Sequence, residues 1–113
     1  MAGHNQAGSE AERAVAEYLA GQGFKILDIN WKTKWCEIDI VAKKDKAMHF
    51  VEVKYRGSSQ QGGGFDYITD KKLYQMRRAA ELWVSMSQWD GEYILSAAEV
   101  SGDEFEVSFL KEI

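Results

Sequence analysis

Between residues 37 and 54 the chain sets Asp39, Glu52 and Lys54 in a pattern that can support hydrolytic chemistry. The stretch reads Glu-Ile-Asp-Ile-Val, then a polar link, Lys43-Lys44-Asp45-Lys46, then His-Phe-Val-Glu-Val-Lys. Both halves alternate apolar and polar residues, the period-two signature of strands. The link is too short for a crossover helix, so the spacing predicts an antiparallel hairpin. A loop centred between Asp45 and Lys46 sets Asp39 opposite Glu52 and Glu37 opposite Lys54. On the reverse face Ile38 then meets Val53, and Ile40 meets Val51.

Two carboxylates directly opposite each other have Cβ atoms roughly 5 Å apart and repel. A divalent cation converts that repulsion into coordination, and Mg²⁺ favours one or two carboxylates together with waters and substrate phosphate. Lys54 lies two residues beyond Glu52, on the same face and about 6.5 Å further along. An ammonium there can hold a water beside the metal or neutralise charge on a phosphate. The set therefore suits phosphodiester hydrolysis. It also suits a solvated hairpin face on which Glu37 and Lys54 form a cross-strand ion pair, since exposed strand faces are polar. A bulge would move Asp39 away from Glu52.

The surrounding elements can be read in chain order. Residues 1–7 are small and polar and are expected to fray. An amphipathic helix follows from Ser9 to about Gly21, with Ala11, Ala14, Val15, Tyr18 and Leu19 on one face. Ser9 and Glu12 have capping-box spacing, and Gly21 and Gly23 supply the stop. Residues 24–31 read as the first strand, ahead of the hairpin. Residues 57–66 cluster glycine and serine and form a loop, at most a substrate-side flap, because Gly62-Gly63-Gly64 lacks the lysine and spacing of a P-loop. A long helix over 69–87 and two strands over 93–100 and 105–110, joined across Ser101-Gly102-Asp103-Glu104, complete the order α-β-β-β-α-β-β. The expected class is α/β (α+β), a mixed central sheet flanked by helices, in one domain spanning 1–113.

At 113 residues the chain can bury a core without staples. No run approaches a membrane span and no signal-peptide pattern is present. A single Cys permits no internal disulfide, which fits a cytoplasmic protein without membrane contact. The net charge of −4 argues against tight non-specific DNA binding, but it is unevenly spread. Asp90, Glu92, Glu99, Asp103, Glu104, Glu106 and Glu112 face only Lys111 in the last stretch, so the preceding chain leans slightly basic. A local basic face is what phosphate contact needs.

Several other residues have two readings. Trp31 and Trp35 with Lys32 and Lys34 form an aromatic-basic cluster that can stack on bases, with Lys34 a nucleic-acid contact; packing at the core edge also accounts for the two tryptophans. Lys71, Lys72, Arg77 and Arg78 are either a solvated helix face or a surface that tracks a phosphate backbone. Glu12 either caps its own helix or points toward the hairpin. His49 falls on the aliphatic face with Val51 and Val53 and reads as a half-buried structural side chain. Cys36 also reads as structural.

Asp39 followed by Glu52-Val53-Lys54 resembles the PD-(D/E)xK motif of the restriction-endonuclease-like superfamily, whose core has the same element order. More closely, residues 8–83 resemble the YraN-like group of small predicted nucleases. The matching features are Glu12, Gly23-Phe24-Lys25-Ile26-Leu27-Asp28-Ile29-Asn30, Glu37-Ile38-Asp39-Ile40-Val41 and Phe50-Val51-Glu52-Val53-Lys54-Tyr55-Arg56. Gly62-Gly63, Lys72 and Ala79-Ala80 complete the series. Cys36 and Ala11 stand where the group has glycine, and its late Arg-Phe-Asp strand is not evident around Tyr93-Ile94-Leu95. The resemblance implies a restriction-endonuclease-like core in which Asp39, Glu52 and the Val53 carbonyl bind Mg²⁺ or Mn²⁺. It further implies that Lys54 positions the attacking water, Glu12 reaches the metal's water shell, and Arg56 and Lys72 contact phosphates. Holliday-junction resolvases belong to the same superfamily, which implies structured or branched DNA as substrate, in repair or recombination.

Two functions are therefore expected. One is a Mg²⁺-dependent DNA endonuclease, acting alone, as a homodimer or with a partner protein. The alternative is a non-catalytic nucleic-acid-binding or assembly module that retains the nuclease fold.

Overall fold

An isolated hairpin is marginal in water, and this one becomes stable by burying both of its faces under helices. The computed structural model describes residues 6–57 and 64–113. Along the chain lie α1 (Gln6–Gly21), β1 (Lys25–Lys32), β2 (Glu37–Lys44), β3 (Ala47–Arg56), α2 (Asp70–Ser87), β4 (Glu92–Ser101) and β5 (Glu106–Leu110), the order expected from the sequence. The strands form one sheet in the order β1-β2-β3-β4-β5. Its pairs are antiparallel except β3 with β4, which are parallel because α2 carries the chain back across the sheet between them.

α1 covers one face. Its buried positions Ala11, Val15, Ala16 and Leu19 pack on Ile40, Ala42, Val51, Ala98 and Val100. α2 covers the other, where Met76, Ala79, Ala80 and Trp83 pack on Ile38, Val41, Met48, Phe50 and Leu95. The run Met48–Val51 is buried at every position for this reason, so the hairpin has no solvent face of the kind the alternation suggested.

α2 spans the range expected from the sequence to within one residue. Thr69 is extended and its Oγ1 accepts the Lys72 amide at 3.1 Å, while Gln88 closes the helix at φ +57°. The start of α1 differs from expectation. The helix begins at Gln6, so Ser9 lies within its second turn and is no N-cap, and Gln6 and Ala7 are helical rather than frayed. An exposed Gln6–Glu10 hydrogen bond of 3.2 Å supports the added turn. Residues 1–5 of the stretch expected to fray, and most of the expected flap, 58–63, lie outside the described residues.

β2 and β3 pair in the predicted register from Lys44–Ala47 to Ile40–Val51, and there the ladder stops. The bulge falls instead on β1, between Ile26 and Asp28. Beyond Ile40 the expected Ile38–Val53 contact is not made. Ile38 pairs with Trp31 of β1 and packs under α2, whereas Val53 packs on the α1 side. The two strands part at Asp39, because β2 turns to follow β1 while β3 continues beside β4 as far as Arg56.

Candidate active site

Asp39 sits in the crotch of this fork. Its Oδ2 accepts the Val53 amide at 2.8 Å, so a side chain takes a hydrogen bond that the ladder no longer makes. Glu52 precedes Val53 on β3 and lines the same narrow gap with Asp39, walled by Ile38, Phe50 and Met76. The direct Asp39–Glu52 pairing expected from the register is not made; the splayed hairpin instead leaves the two carboxylates lining one gap. Burial, then the charge of Glu52, then those of Glu12 and Glu37, push the Asp39 carboxyl up to about 7, against a smaller downward pull from the Val53 amide.

Glu12 belongs to this group. It is 7% exposed on α1, on the helix face that packs against the sheet, and its charge acts on Asp39. Since Ser9 caps nothing, the capping role considered for Glu12 does not arise. Lys72 reaches in from α2, with its Nζ 2.9 Å from Glu52 Oε2. Burial by itself would lower the Lys72 ammonium's pKa. The hydrogen bond and charge of Glu52, with Asp39 and Glu37 behind them, outweigh burial and hold it above the ordinary lysine value. The structure therefore places Lys72 on a carboxylate rather than in solvent.

Lys54 lies on the α2 side of β3, two residues past Glu52, and is exposed. Among the described residues it forms no ion pair, and the Glu37–Lys54 bridge is absent. Arg56 is committed inward. Its Nε donates to Glu99 Oε2, and Nη2 donates to the Gly64 carbonyl at 3.2 Å and to Asp66 at 3.3 Å. Its guanidinium also lies 5.7 Å from the Tyr67 ring centre. Lys34 is exposed, its Nζ 5.4 Å from the Trp35 ring centre. The aromatic pair divides: Trp31 packs against the α2 core, while Trp35 is 78% exposed.

Sequence reading missed Tyr67 and Glu99. Tyr67 donates to the Ala98 carbonyl at 3.4 Å, and burial, Glu52 and Glu99 raise its hydroxyl pKa. No spacing rule connects residue 67 to a strand thirty positions on; the one available signal was the aromatic-acidic Phe65-Asp66-Tyr67 after the glycines. Asn30 has clearer local signs. It lies between Ile29 and Trp31, which pair with Ile40 and Ile38, and so stands across from Asp39 at φ +60°. Its buried Oδ1 has no hydrogen-bond partner among the described residues.

The donor chemistry fits a hard divalent cation. Asp39 and Glu52 offer carboxylate oxygens that repel without one. No cage of three or more His, Cys, Asp or Glu side chains is present among the described residues, so a metal here would complete its shell with backbone, water and substrate. Away from the fork, His49 is 2% exposed, more deeply buried than expected, and is structural. Ser96 Oγ donates to the Lys111 carbonyl at 2.5 Å, so His49 Nδ1 donates to Ser96 at 3.0 Å, and Phe24 packs edge-on to its ring. Cys36 is half-buried beside Thr33 and serves the β1–β2 turn.

The fold is a helix–sheet–helix layer in which the charges of Glu12 on α1 and Glu52 on β3 both act on Asp39 of β2. Residues 11–107 match the model of the uncharacterised protein family UPF0102, and the chain belongs to that family. A UPF0102 protein of Cytophaga hutchinsonii is 31% identical over 107 residues, covering 95% of each chain. One of Flavobacterium johnsoniae is 32% identical, covering 97% of this chain and 94% of its own. One of Shewanella sediminis is 39% identical over 87 residues, 77% of this chain and 72% of its own. The YraN-like resemblance thus holds at the level of the family. No described helix is long and apolar enough to cross a membrane.

Proposed function

We propose that the chain is a metal-dependent DNA endonuclease of the PD-(D/E)xK, restriction-endonuclease-like kind, hydrolysing phosphodiester bonds in structured or branched DNA. One observation carries this reading. At the fork, Asp39, half-buried and crowded by the charges of Glu52 and Glu12, is fixed by the Val53 amide one residue before Lys54. Burial beside Glu52 costs the Asp39 carboxylate free energy that the Val53 amide only partly offsets.

Asp39 and Glu52 would hold Mg²⁺ or Mn²⁺, with the Val53 carbonyl as a further oxygen, and the bound ion would supply Lewis-acid stabilisation of the phosphate. The Val53 amide holds the Asp39 carboxylate in one orientation, leaving Oδ1 for coordination. Glu12 sets the water structure behind it from α1. Lys54, exposed and without an ion pair among the described residues, can engage a water or a phosphate oxygen. Lys72 neutralises Glu52 in the protein alone and is placed to turn to a phosphate once the site carries other positive charge.

The test is cleavage of flap, four-way and single-stranded DNA with Mg²⁺ or Mn²⁺. Wild type should cut; Asp39→Ala and Lys54→Ala should each lose at least a hundredfold in rate, as loss of an electrostatic stabiliser costs roughly 10²–10³. A second reading, a binding or assembly module, draws on the Lys72–Glu52 ion pair, which satisfies Glu52 without metal. It expects both variants to bind DNA as wild type does and wild type not to cut.

A further inference from the structure

Between the β1–β2 turn and α2 runs a cleft of about 750 Å³, lined among others by Trp35, Glu37, Glu52, Lys72, Tyr74 and Arg78. Two aromatic rings stand on its rim, Trp35 at 78% and Tyr74 at 56% exposure. The fold does not need Trp35 outside: Trp31, four residues earlier, meets the core's requirement under α2. The turn that presents Trp35 is nevertheless well fixed. Thr33 Oγ1 accepts the amides of Trp35 at 3.0 Å and Cys36 at 3.2 Å, and the Thr33 amide donates to the Cys36 carbonyl at 2.9 Å. An exposed ring on a rigid mount is pre-organised for contact.

Each ring has a cation over one of its faces, leaving the other for a base. Lys34 Nζ lies 5.4 Å from the Trp35 ring centre. Arg78 lies 5.7 Å from that of Tyr74 and donates to its hydroxyl at 2.9 Å. Flat π-surfaces alternating with positive charge match a chain in which bases alternate with phosphates. In a duplex the base faces are occupied by their neighbours, so these rings would meet only groove edges; an unpaired strand offers both faces and phosphates. Glu52 lies in the same cleft, which makes it continuous with the fork.

We infer that this cleft binds an unpaired DNA strand, stacking bases on Trp35 and Tyr74 and leading the backbone past Lys72 to Glu52. The inference rests on the nuclease reading for what happens at the cleft's end, and it narrows the substrate to DNA with a single-stranded segment.

The experiment measures binding without cleavage. Full-length protein in EDTA is titrated into a fluorescein-labelled oligodeoxythymidylate and into a blunt hairpin duplex of equal length, read by anisotropy. Wild type should prefer the single strand. Trp35→Ala and Tyr74→Ala should each weaken that binding about tenfold, Trp35→Phe should retain most of it, and duplex binding should not change. Both side chains are exposed, so the variants keep the wild-type circular dichroism spectrum and melting temperature. Equal or tighter binding of the duplex, or single-strand affinity indifferent to both alanine variants, overturns the inference, and a tighter grip on oligouridylate overturns the assignment to DNA. The two readings fail separately. Binding that depends on Trp35 in a protein that never cuts removes the nuclease alone, and cutting with binding indifferent to both rings removes the cleft alone.

Discussion

Asp39 Oδ2 takes the Val53 amide at 2.8 Å at the place where β2 and β3 cease to pair. The side chain acts as a strut across the fork and is held there despite neighbours that oppose its charge. Burial, with Glu52, Glu12 and Glu37, lifts the Asp39 carboxyl from 3.8 to about 7. A group whose pKa is higher folded than unfolded stabilises the fold fully below its unfolded value, and that contribution is lost as pH rises through the folded one. Without divalent metal, the contribution of Asp39 to stability should therefore decline between about pH 4 and pH 7. Asp39→Asn still accepts from Val53 and cannot ionise. Urea unfolding in EDTA should find it roughly 2 kcal/mol more stable than wild type at pH 8 and much closer at pH 4.

Arg56 does structural work that sequence alone did not show. Its guanidinium joins Glu99 on β4 to Gly64 and Asp66 at the end of the β3–α2 connection, beside Tyr67. Arg56→Ala strands a largely buried Glu99 carboxylate and should cost roughly 2 kcal/mol. Arg56→Lys cannot make the fork-shaped contacts and should recover only part of that loss. Proteolysis should show faster cutting near residue 64 in both variants, a change that loss of a simple phosphate contact would not produce.

His49 gives the fold an acid limit. Burial, then Lys111 and Lys44, lower its pKa from 6.5, with Glu112 pulling weakly the other way. Neutral in the folded state, it favours folding above about pH 6.5, and that contribution is lost as pH falls toward its folded value. His49→Leu leaves Ser96 donating to the Lys111 carbonyl and cannot protonate. Its melting temperature should change less than that of wild type between pH 7 and pH 5.

What could be read from the residues, and what could not, divides by distance along the chain. The order of elements, and the hairpin register as far as Ile40–Val51, are local properties of pattern and spacing, and each is observed. Alternation within β2 and β3 could not reveal the fork, because past Ile40 β2 leaves β3 and follows β1 alone, and so Ile38 changes faces. Ser9 had the chemistry of a cap but not the position, since Gln6 and Ala7 already continue the helix. Trp31 and Trp35 read alike in sequence. Only the placement of α2 buries one and leaves the other in solvent.

Gly91 is a steric requirement of the α2–β4 turn. A Cβ there would come within 2.5 Å of the Trp89 ring, which its Nε1 donation to the Glu92 carbonyl at 2.9 Å holds in place. Gly91→Ala should displace the indole and destabilise the fold by about 1–2 kcal/mol. Trp89→Ala combined with Gly91→Ala should cost less than the two single changes added together, as expected for residues in contact.

Calorimetric titration of Mn²⁺ into wild type and Asp39→Ala, near pH 8 and with a non-cleavable DNA strand present, tests the central claim most directly. Wild type should bind one ion, with affinity rising as pH passes about 7 and the Asp39 carboxyl gives up its proton. Asp39→Ala should not bind it. Equal binding by both proteins, or none by wild type, would contradict a metal site at the fork.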